Sequence, residues 1–222
     1  MVGKTVRMTK EAAPNVSAVS QGKSALREYA EAFIVAILLA LVIRTFVVQA
    51  FKIPSGSMLP TLQIGDHILV NKFLYYFQPI RRGDIIVFKY PQDESRDFIK
   101  RVIGQPGDTV EMRDKQILVN GQPLAEPYAV FDDGPRPGER ERFGPVTVPP
   151  GKLFMMGDNR DHSMDSRYWG FLDAHKVKGK AFIIYFSIRS DDIPYQSVLP
   201  SILYTVTHPA MIRWNRLGGM VH

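Results

Sequence analysis

Residues 85–121 of the chain read IIVFKYPQDESRDFIKRVIGQPGDTVEMRDKQILVNG. Short runs rich in Ile, Val, Phe and Tyr alternate here with Gly, Pro and Asp, a pattern typical of β-strands joined by tight turns. Asn120-Gly121 follows an apolar run, and both residue types accept a positive φ, so a two-residue hairpin turn is expected there. The stretch therefore predicts four strands, at residues 85–90, 98–103, 109–112 and 116–119.

The same pattern continues on both sides of this stretch, with further strands predicted at residues 67–70, 153–156 and 179–187. Gly-Asp pairs precede several of the strands as turns. The Pro- and Gly-rich segment up to residue 150 predicts a small inserted subdomain over about residues 113–150. Residues 197–222 mix apolar and basic side chains, which leaves open an amphipathic element or a solvated terminal strand. The predicted fold class is mainly β, behind one N-terminal helix.

The composition is that of a folded protein of ordinary size. With 222 residues, 45% of them hydrophobic and 23% charged, the chain can bury a real core in one domain plus an appendage, which excludes an intrinsically disordered protein. There is no cysteine, so disulfide frameworks, thiolate zinc sites and cysteine nucleophiles are excluded. We expect no cofactor and no bound metal.

Charge is concentrated at the N-terminus. The net charge is +6, and residues 1–28 hold five basic groups against two acidic ones, whereas charges after residue 51 are well mixed. A basic tail before an apolar run indicates membrane topology rather than a nucleic-acid-binding face. Residues 32–43 carry no polar side chain. We therefore expect a cytoplasmic tail at 1–27, a transmembrane helix at 28–50 and an extracytoplasmic domain at 51–222.

Two other interpretations of the apolar run stay open. Its twelve apolar residues are also a length that buried core helices reach. A cleavable signal peptide would use Val48-Gln49-Ala50 as its small-residue cleavage site, although Arg44 then lies awkwardly between the apolar run and that site.

A candidate nucleophile follows the apolar run. Two prolines, Pro54 and Pro60, bracket Ser55-Gly56-Ser57 and force a rigid, non-helical turn that can present a serine or serve only as a structural loop. A nucleophilic serine needs a base, customarily a histidine. None of the five histidines has a persuasive position for that role; they are His67, His162, His175, His208 and His222.

A lysine can replace histidine as the base if burial lowers its pKa, because desolvation disfavours the charged ammonium. Strand alternation places Lys100 on one face with Phe98 and Val102. Lys89 also lies in a predicted strand, but at its end, just before Pro91, where water is expected. The alternative for Lys100 is a snorkelling side chain with a solvated ammonium.

A third cluster, GDNRDHSMDSRYWG at residues 157–170, is dense in short hydrogen-bonding side chains. Such a loop can satisfy its own backbone and can also supply a hydroxyl that orients a neutral lysine. Asp165 and Arg167 are placed to pair locally. A calcium loop is the alternative, although the EF-hand spacing and its terminal Glu are absent.

Four motifs, in order along the chain, resemble those of bacterial type I signal peptidases, membrane-bound Ser/Lys endopeptidases of family S26. They are PSGSMLPTL at 54–62, RGDIIVF at 82–88, FIKRVIGQPGD at 98–108 and the loop at 157–170. The resemblance covers about residues 30–190. It implies a β-rich catalytic domain and cleavage of signal peptides from exported preproteins after Ala-X-Ala-like sites, at a bacterial inner membrane.

Carried over to this sequence, the resemblance implies that Ser57 is the nucleophile and Lys100 the general base. Ser55 and the Ser57 backbone N–H would line the oxyanion hole, and Ser163 would hydrogen-bond and orient Lys100. Asp165 and Arg167 would form a structural ion pair. The substrate groove would map to Phe51, Ile53, Met58, Leu62, Ile68, Val87, Phe98 and Ile99.

The implied partners are exported preproteins and the lipid bilayer, with no nucleic acid, and the chain is expected to be a monomer. The aromatic run FLYYF at 73–77 predicts either a surface that enters the lipid interface or a core strand. Two rival functions remain: a self-cleaving regulator that shares Ser/Lys chemistry, and an inert, membrane-anchored β module.

Overall fold

The computed structural model describes residues 25–42, 47–132, 142–189 and 207–222. The chain divides into two compact units, residues 1–40 and 41–222. Several predictions fall outside the described residues: those for the basic tail up to residue 24, for Arg44, for part of the inserted segment and for residues 197–206.

In the first unit the structure describes helix α1, at Ala25–Val42, whose last two residues lie beyond the boundary at residue 40. Its described side chains are exposed along its whole length, apolar ones included. Among the residues that the structure describes, no helix is both long and apolar enough to cross a membrane. The expected helix through residue 50 is wrong at its C-terminal end, because strand β1 occupies Val48–Lys52. There the backbone pairs with the next strand, and Phe51 packs against the core.

The second unit is mainly β, as predicted, and its strands pair antiparallel in two sheets. After β1 the strands are β2 Asp66–Asn71, β3 Ile85–Tyr90, β4 Asp93–Gly104, β5 Thr109–Arg113, β6 Gln116–Val119, β7 Gln122–Pro123, β8 Arg142–Thr147, β9 Lys152–Met156, β10 Leu172–Asp173 and β11 Val177–Ser187. A short helix, α2, spans Ser166–Trp169. Sheet one has the order β1-β2-β11-β3-β4-β9-β10, and sheet two has the order β7-β6-β5-β8.

All seven predicted strands are present. The turns at the Gly-Asp pairs are closed by the same kind of hydrogen bond. The carboxylates of Asp66, Asp84 and Asp108 each accept the backbone N–H three residues earlier, over 2.8, 2.9 and 2.7 Å. An aspartate that bonds nearby backbone in this way closes a turn at the start of a strand. The sequence prediction missed β1, β7, β8, β10 and the first half of β4, which are short, polar or at sheet edges.

Sheet two forms the inserted subdomain, and it begins at Thr109, before the predicted boundary near residue 113. Its β6–β7 hairpin has the expected Asn120-Gly121 turn, with φ of 54° and 76°. The β5–β6 hairpin was not predicted. It turns through Asp114 and Lys115, whose φ values of 51° and 66° are uncommon for residues other than glycine.

For two segments, at residues 73–77 and at the C-terminus, the sequence left alternatives open. The run at 73–77 is not a core strand: it forms a 3₁₀ turn at Leu74–Tyr76. The rings of Phe73, Tyr76 and Phe77 on this turn are exposed. Residues 207–222, the described part of the C-terminal segment, do not form a solvated terminal strand. They return to sheet one through two 3₁₀ turns, and Arg216 binds the buried carboxylate of Asp66.

Candidate active site

Ser57 lies on a 3₁₀ turn at Gly56–Met58, which is held from two sides. On one side the next residue, Met58, is completely buried in the main core. On the other, Asn159 donates its backbone N–H to the Ser57 carbonyl and its side-chain amide to the Gly56 carbonyl, both over 3.1 Å. The sequence analysis did not single out Asn159, although it stands in the quoted loop. Packing and hydrogen bonds thus fix the serine in place.

Lys100 approaches this serine from strand β4, 43 residues along the chain. Its Nζ donates to the Ser57 Oγ over 2.6 Å and to the Ile99 carbonyl over 3.1 Å. Both side chains are buried, with Lys100 only 4% exposed. Burial lowers the pKa of Lys100 from 10.5 to about 8, against the opposing charges of Asp165 and Asp158. With this pKa, about one tenth of the lysine is neutral at pH 7.

Ser163 lies in the same buried region, but its predicted hydrogen bond to Lys100 is absent. Within the described part of the chain, Ser163 Oγ is buried and has no hydrogen-bond partner, and Lys100 donates to Ser57 and Ile99. Gly157 lets the Ser57 turn and the loop that carries Ser163 approach each other. A Cβ at position 157 would lie 2.3 Å from Ser163 Oγ and 2.4 Å from the Ser57 carbonyl oxygen. Only glycine permits this close approach.

Asp165 and Arg167 form the ion pair that the sequence suggested. Two parallel contacts of 2.8 Å join the guanidinium to the carboxylate, and both side chains are buried. Asp165 also accepts the Gly157 N–H over 3.1 Å and caps α2 through the Arg167 N–H. A fork-to-carboxylate pair of this kind fixes orientation as well as charge. It holds the loop that carries Ser163 against strand β9.

A second buried ion pair, which the sequence analysis missed, lies behind Lys100. Arg101 contacts both carboxylate oxygens of Asp158, over 2.8 and 2.7 Å, and neither residue exceeds 2% exposure. Thr61, from the segment after Ser57, donates to the same carboxylate over 2.6 Å. Arg101 also donates to the main-chain oxygen of His222 over 2.9 Å. The sequence feature that could have indicated this ion pair is the arginine directly after the candidate base.

The residues expected to form the substrate groove divide into two groups. Seven of the eight belong to one cluster, in which Phe51 and Ile99 keep partial exposure while the others are at most 2% exposed. Phe98 does not join them. It packs in a different cluster and stacks on Tyr90, with ring centroids 4.2 Å apart. Strand alternation explains the difference, because Phe98 and Ile99 point to opposite faces of β4.

Ser55 lies at the exposed entrance to the nucleophile turn, in an extended conformation, and its side chain does not cap the turn. None of the histidines bonds to Ser57 in the described part of the chain. His162 instead lies 2.9 Å from Asp132, and His67 packs edge-on against Tyr185 and Phe186. Lys89 is exposed, as its position at the end of a strand predicted.

Comparison with known proteins finds relatives that belong to one family. A family model described as "Signal peptidase, peptidase S26" matches residues 26–186. "Signal peptidase I" of Leptolyngbya laminosa is 40% identical, over 82% of this chain and 91% of that protein. "Signal peptidase I" of Pseudomonas aeruginosa is 38% identical over 73% of each chain. "Signal peptidase I T" of Bacillus subtilis is 36% identical over 81% and 95%.

Among solved structures, a signal peptidase I from Enterococcus faecalis is 36% identical and covers 46% of this chain and 97% of its own, with a TM-score of 0.39. The relatives above match most of their own length, and the family model spans both the Ser57 turn and the Lys100 strand. The chain therefore belongs to the signal peptidase I family of serine endopeptidases, peptidase S26.

Proposed function

We propose that this chain removes signal peptides from exported preproteins by acyl transfer at Ser57, with Lys100 as the general base. The observation that carries the proposal is the 2.6 Å contact between a buried lysine and a buried serine. Neutral Lys100 would take the proton of Ser57 Oγ, and the oxygen would attack the scissile carbonyl. As the C–N bond breaks, protonated Lys100 would return that proton to the leaving amine of the mature protein, which leaves Ser57 acylated. Neutral Lys100 would then take a proton from the water that attacks the acyl-enzyme, and would pass it to Ser57 Oγ as the signal peptide leaves with a free carboxyl group.

Charge develops on the carbonyl oxygen during the attack, and Ser55 Oγ with the Ser57 backbone N–H would stabilise it. The exposed position of Ser55, with no capping bond from its side chain, supports this role. Ser163 would orient Lys100 once the lysine has lost a proton. Its buried and unpartnered hydroxyl, beside Gly157 and close to the Ser57 carbonyl, supports this assignment.

The substrate would bind as an extended strand, so that main-chain hydrogen bonds supply affinity and side-chain pockets supply specificity. Two strand edges support this arrangement. Among the described strands, β1 pairs with β2 alone, and the part of β4 before Arg101 pairs with β3 alone. Phe51 and Ile99 are the partly exposed members of the cluster at these edges. The other five residues of the predicted groove in this cluster are at most 2% exposed, which supports the binding of small side chains such as alanine.

We infer further that the apolar run at 32–43 attaches the chain to the inner membrane of a bacterium, with the tail in the cytoplasm and the catalytic unit outside it. The apolar side chains of α1 are exposed within the described structure, and basic residues precede them in the sequence. The chain would act as a monomer. Extraction of the full chain from membranes by detergent, but not by alkaline carbonate, tests the attachment.

The test of the reaction uses the full chain, purified in detergent, with a radiolabelled preprotein. We expect Ser57→Ala and Lys100→Ala each to lower cleavage by at least ~10³-fold, and Ser55→Ala by about 10²-fold. The exposed residues Thr147, in sheet two, and Lys89 supply controls, and their alanine variants should cleave normally. Preprotein cleavage that survives Lys100→Ala would refute the assignment of Lys100 as the base. If the chain cleaved itself but not the preprotein, the self-cleaving regulator would be favoured.

A further inference from the structure

A second groove, of about 980 Å³, opens at the end of sheet one where β1 begins. The aromatic turn after β2 forms one wall, and the residues around the start of β11 form the other. This volume is at the upper end of the range for ligand-binding clefts. The lining residues that matter below are Gln49, Lys72, Phe73, Tyr76, Val177 and Lys178.

This groove is continuous with the edge at which the proposed substrate would bind. Gln49 and Phe51 alternate on one face of β1, opposite the buried Val70 and Ile68 of β2. Phe51 belongs to the cluster beneath the proposed binding edge, whereas Gln49 lines the groove. Lys178 joins the two places, because it lines the groove and its Nζ lies 5.9 Å from the centroid of the Phe51 ring.

The aromatic wall is held in position without any ligand. The side-chain oxygen of Asn71 accepts the backbone N–H groups of Phe73 and Leu74, each over 2.9 Å. The Tyr75 hydroxyl donates to Asp84 over 2.9 Å, which ties the turn to the base of β3. A wall that is already ordered loses little conformational entropy when a ligand binds to it.

We infer that this groove binds the apolar segment of the substrate that precedes the scissile bond, an inference that rests on the proposed function. An extended peptide advances about 3.3 Å per residue and places alternate side chains on one face. A residue that faces Phe51 is therefore followed, two residues upstream, by one that faces Gln49, and the next ones enter the groove.

The chemistry of the groove defines the occupant. Aromatic and aliphatic side chains such as Tyr76 and Val177 line it, so burial of apolar substrate side chains supplies the binding energy. Lys178 is paired with Asp97, over 2.7 Å, so its charge in the groove is compensated. The groove thus selects apolar segments.

The experiment compares two peptide substrates with the same cleavage site, one ending about three residues upstream of the scissile bond and one extended by about six leucines. We measure kcat/KM with the full-length enzyme in detergent, without lipid. Tyr76→Ser removes an aromatic side chain from the groove. Phe77→Ser is the matched control, because Phe77 is exposed on the same turn but does not line the groove.

We expect Tyr76→Ser to lower the ratio of long to short kcat/KM by about tenfold, the effect of 1.4 kcal/mol of lost binding. Phe77→Ser should leave that ratio unchanged. An unchanged ratio in Tyr76→Ser would overturn the inference.

A third outcome identifies a different occupant. If both variants lose only the stimulation by added vesicles of anionic phospholipid, with the peptide ratio unchanged, the aromatic turn contacts the bilayer and the substrate inference is wrong. Failure of the proposed function would look different again, because neither peptide would then be cleaved in a Ser57-dependent way.

Discussion

The rate of cleavage should follow the deprotonation of Lys100. Burial lowers the pKa of this lysine to about 8, so about one tenth of it is neutral at pH 7, roughly 300-fold more than for a lysine at its ordinary pKa. We expect kcat/KM to rise about tenfold per pH unit below pH 7, with a midpoint near pH 8, and to level off above about pH 9. Initial rates on a peptide substrate between pH 6 and 10 measure the profile.

Lys100→Arg provides the sharpest comparison, because it keeps the positive charge but cannot deprotonate. It should be inactive at every pH, whereas the exposed Lys89→Ala should keep the midpoint. A profile that is flat from pH 6 to 9, or one that still climbs at pH 10, would refute the assignment of the base.

The same lysine should make stability depend on pH. Its pKa is lower in the folded state, so the folded protein bears the full penalty of the buried ammonium below pH 8 and is relieved of it as pH rises toward 10.5. The free energy of unfolding should therefore increase by about 3 kcal/mol over that window. Urea denaturation should show this rise in the wild type and its loss in Lys100→Met.

Three further predictions concern residues around the site and the second sheet. Gly157→Ala should lower kcat/KM by at least ~10²-fold, because the added Cβ displaces Ser57 or Ser163; normal activity would show that the segments can move apart. Asp158→Ala should cost about 3–5 kcal/mol of unfolding free energy, since it leaves Arg101 buried and unpaired; urea midpoints measure it, and a loss below ~1 kcal/mol would contradict it. Lys115→Gly should raise the unfolding free energy by up to ~1 kcal/mol by relieving a positive φ, and a decrease would contradict this.

The strand predictions succeeded where apolar residues and turn residues alternate over short distances. β3 and β6 are apolar runs bounded by turn residues, so the residues within and next to each strand are enough to predict it. β1 was expected to be the end of a helix, because Val48 and Ala50 extend the apolar run and nothing in that run shows which partner it meets. Pairing with β2, which lies beyond the nucleophile turn, makes it a strand.

In the candidate site, too, one part could be predicted from the sequence and another could not. The sequence suggested the roles of Ser57 and Lys100 through the motifs around them, and strand alternation placed Lys100 on an apolar face. It did not reveal the Asp158–Arg101 pair or the contacts of Asn159, because these join segments about 57 and 103 positions apart. It also grouped Phe98 with Ile99 in one groove, although neighbouring residues of a strand face opposite sides.

The sequence by itself determined the family, the mainly β fold class and the turn that presents Ser57, since each depends on residue types at short spacing. Only the tertiary structure decided that Lys100 reaches Ser57, that its pKa falls to about 8 and that Ser163 Oγ has no hydrogen-bond partner among the described residues. The physical reason is burial. Desolvation depends on everything that packs around a side chain, and those groups come from strands and loops far apart in the chain.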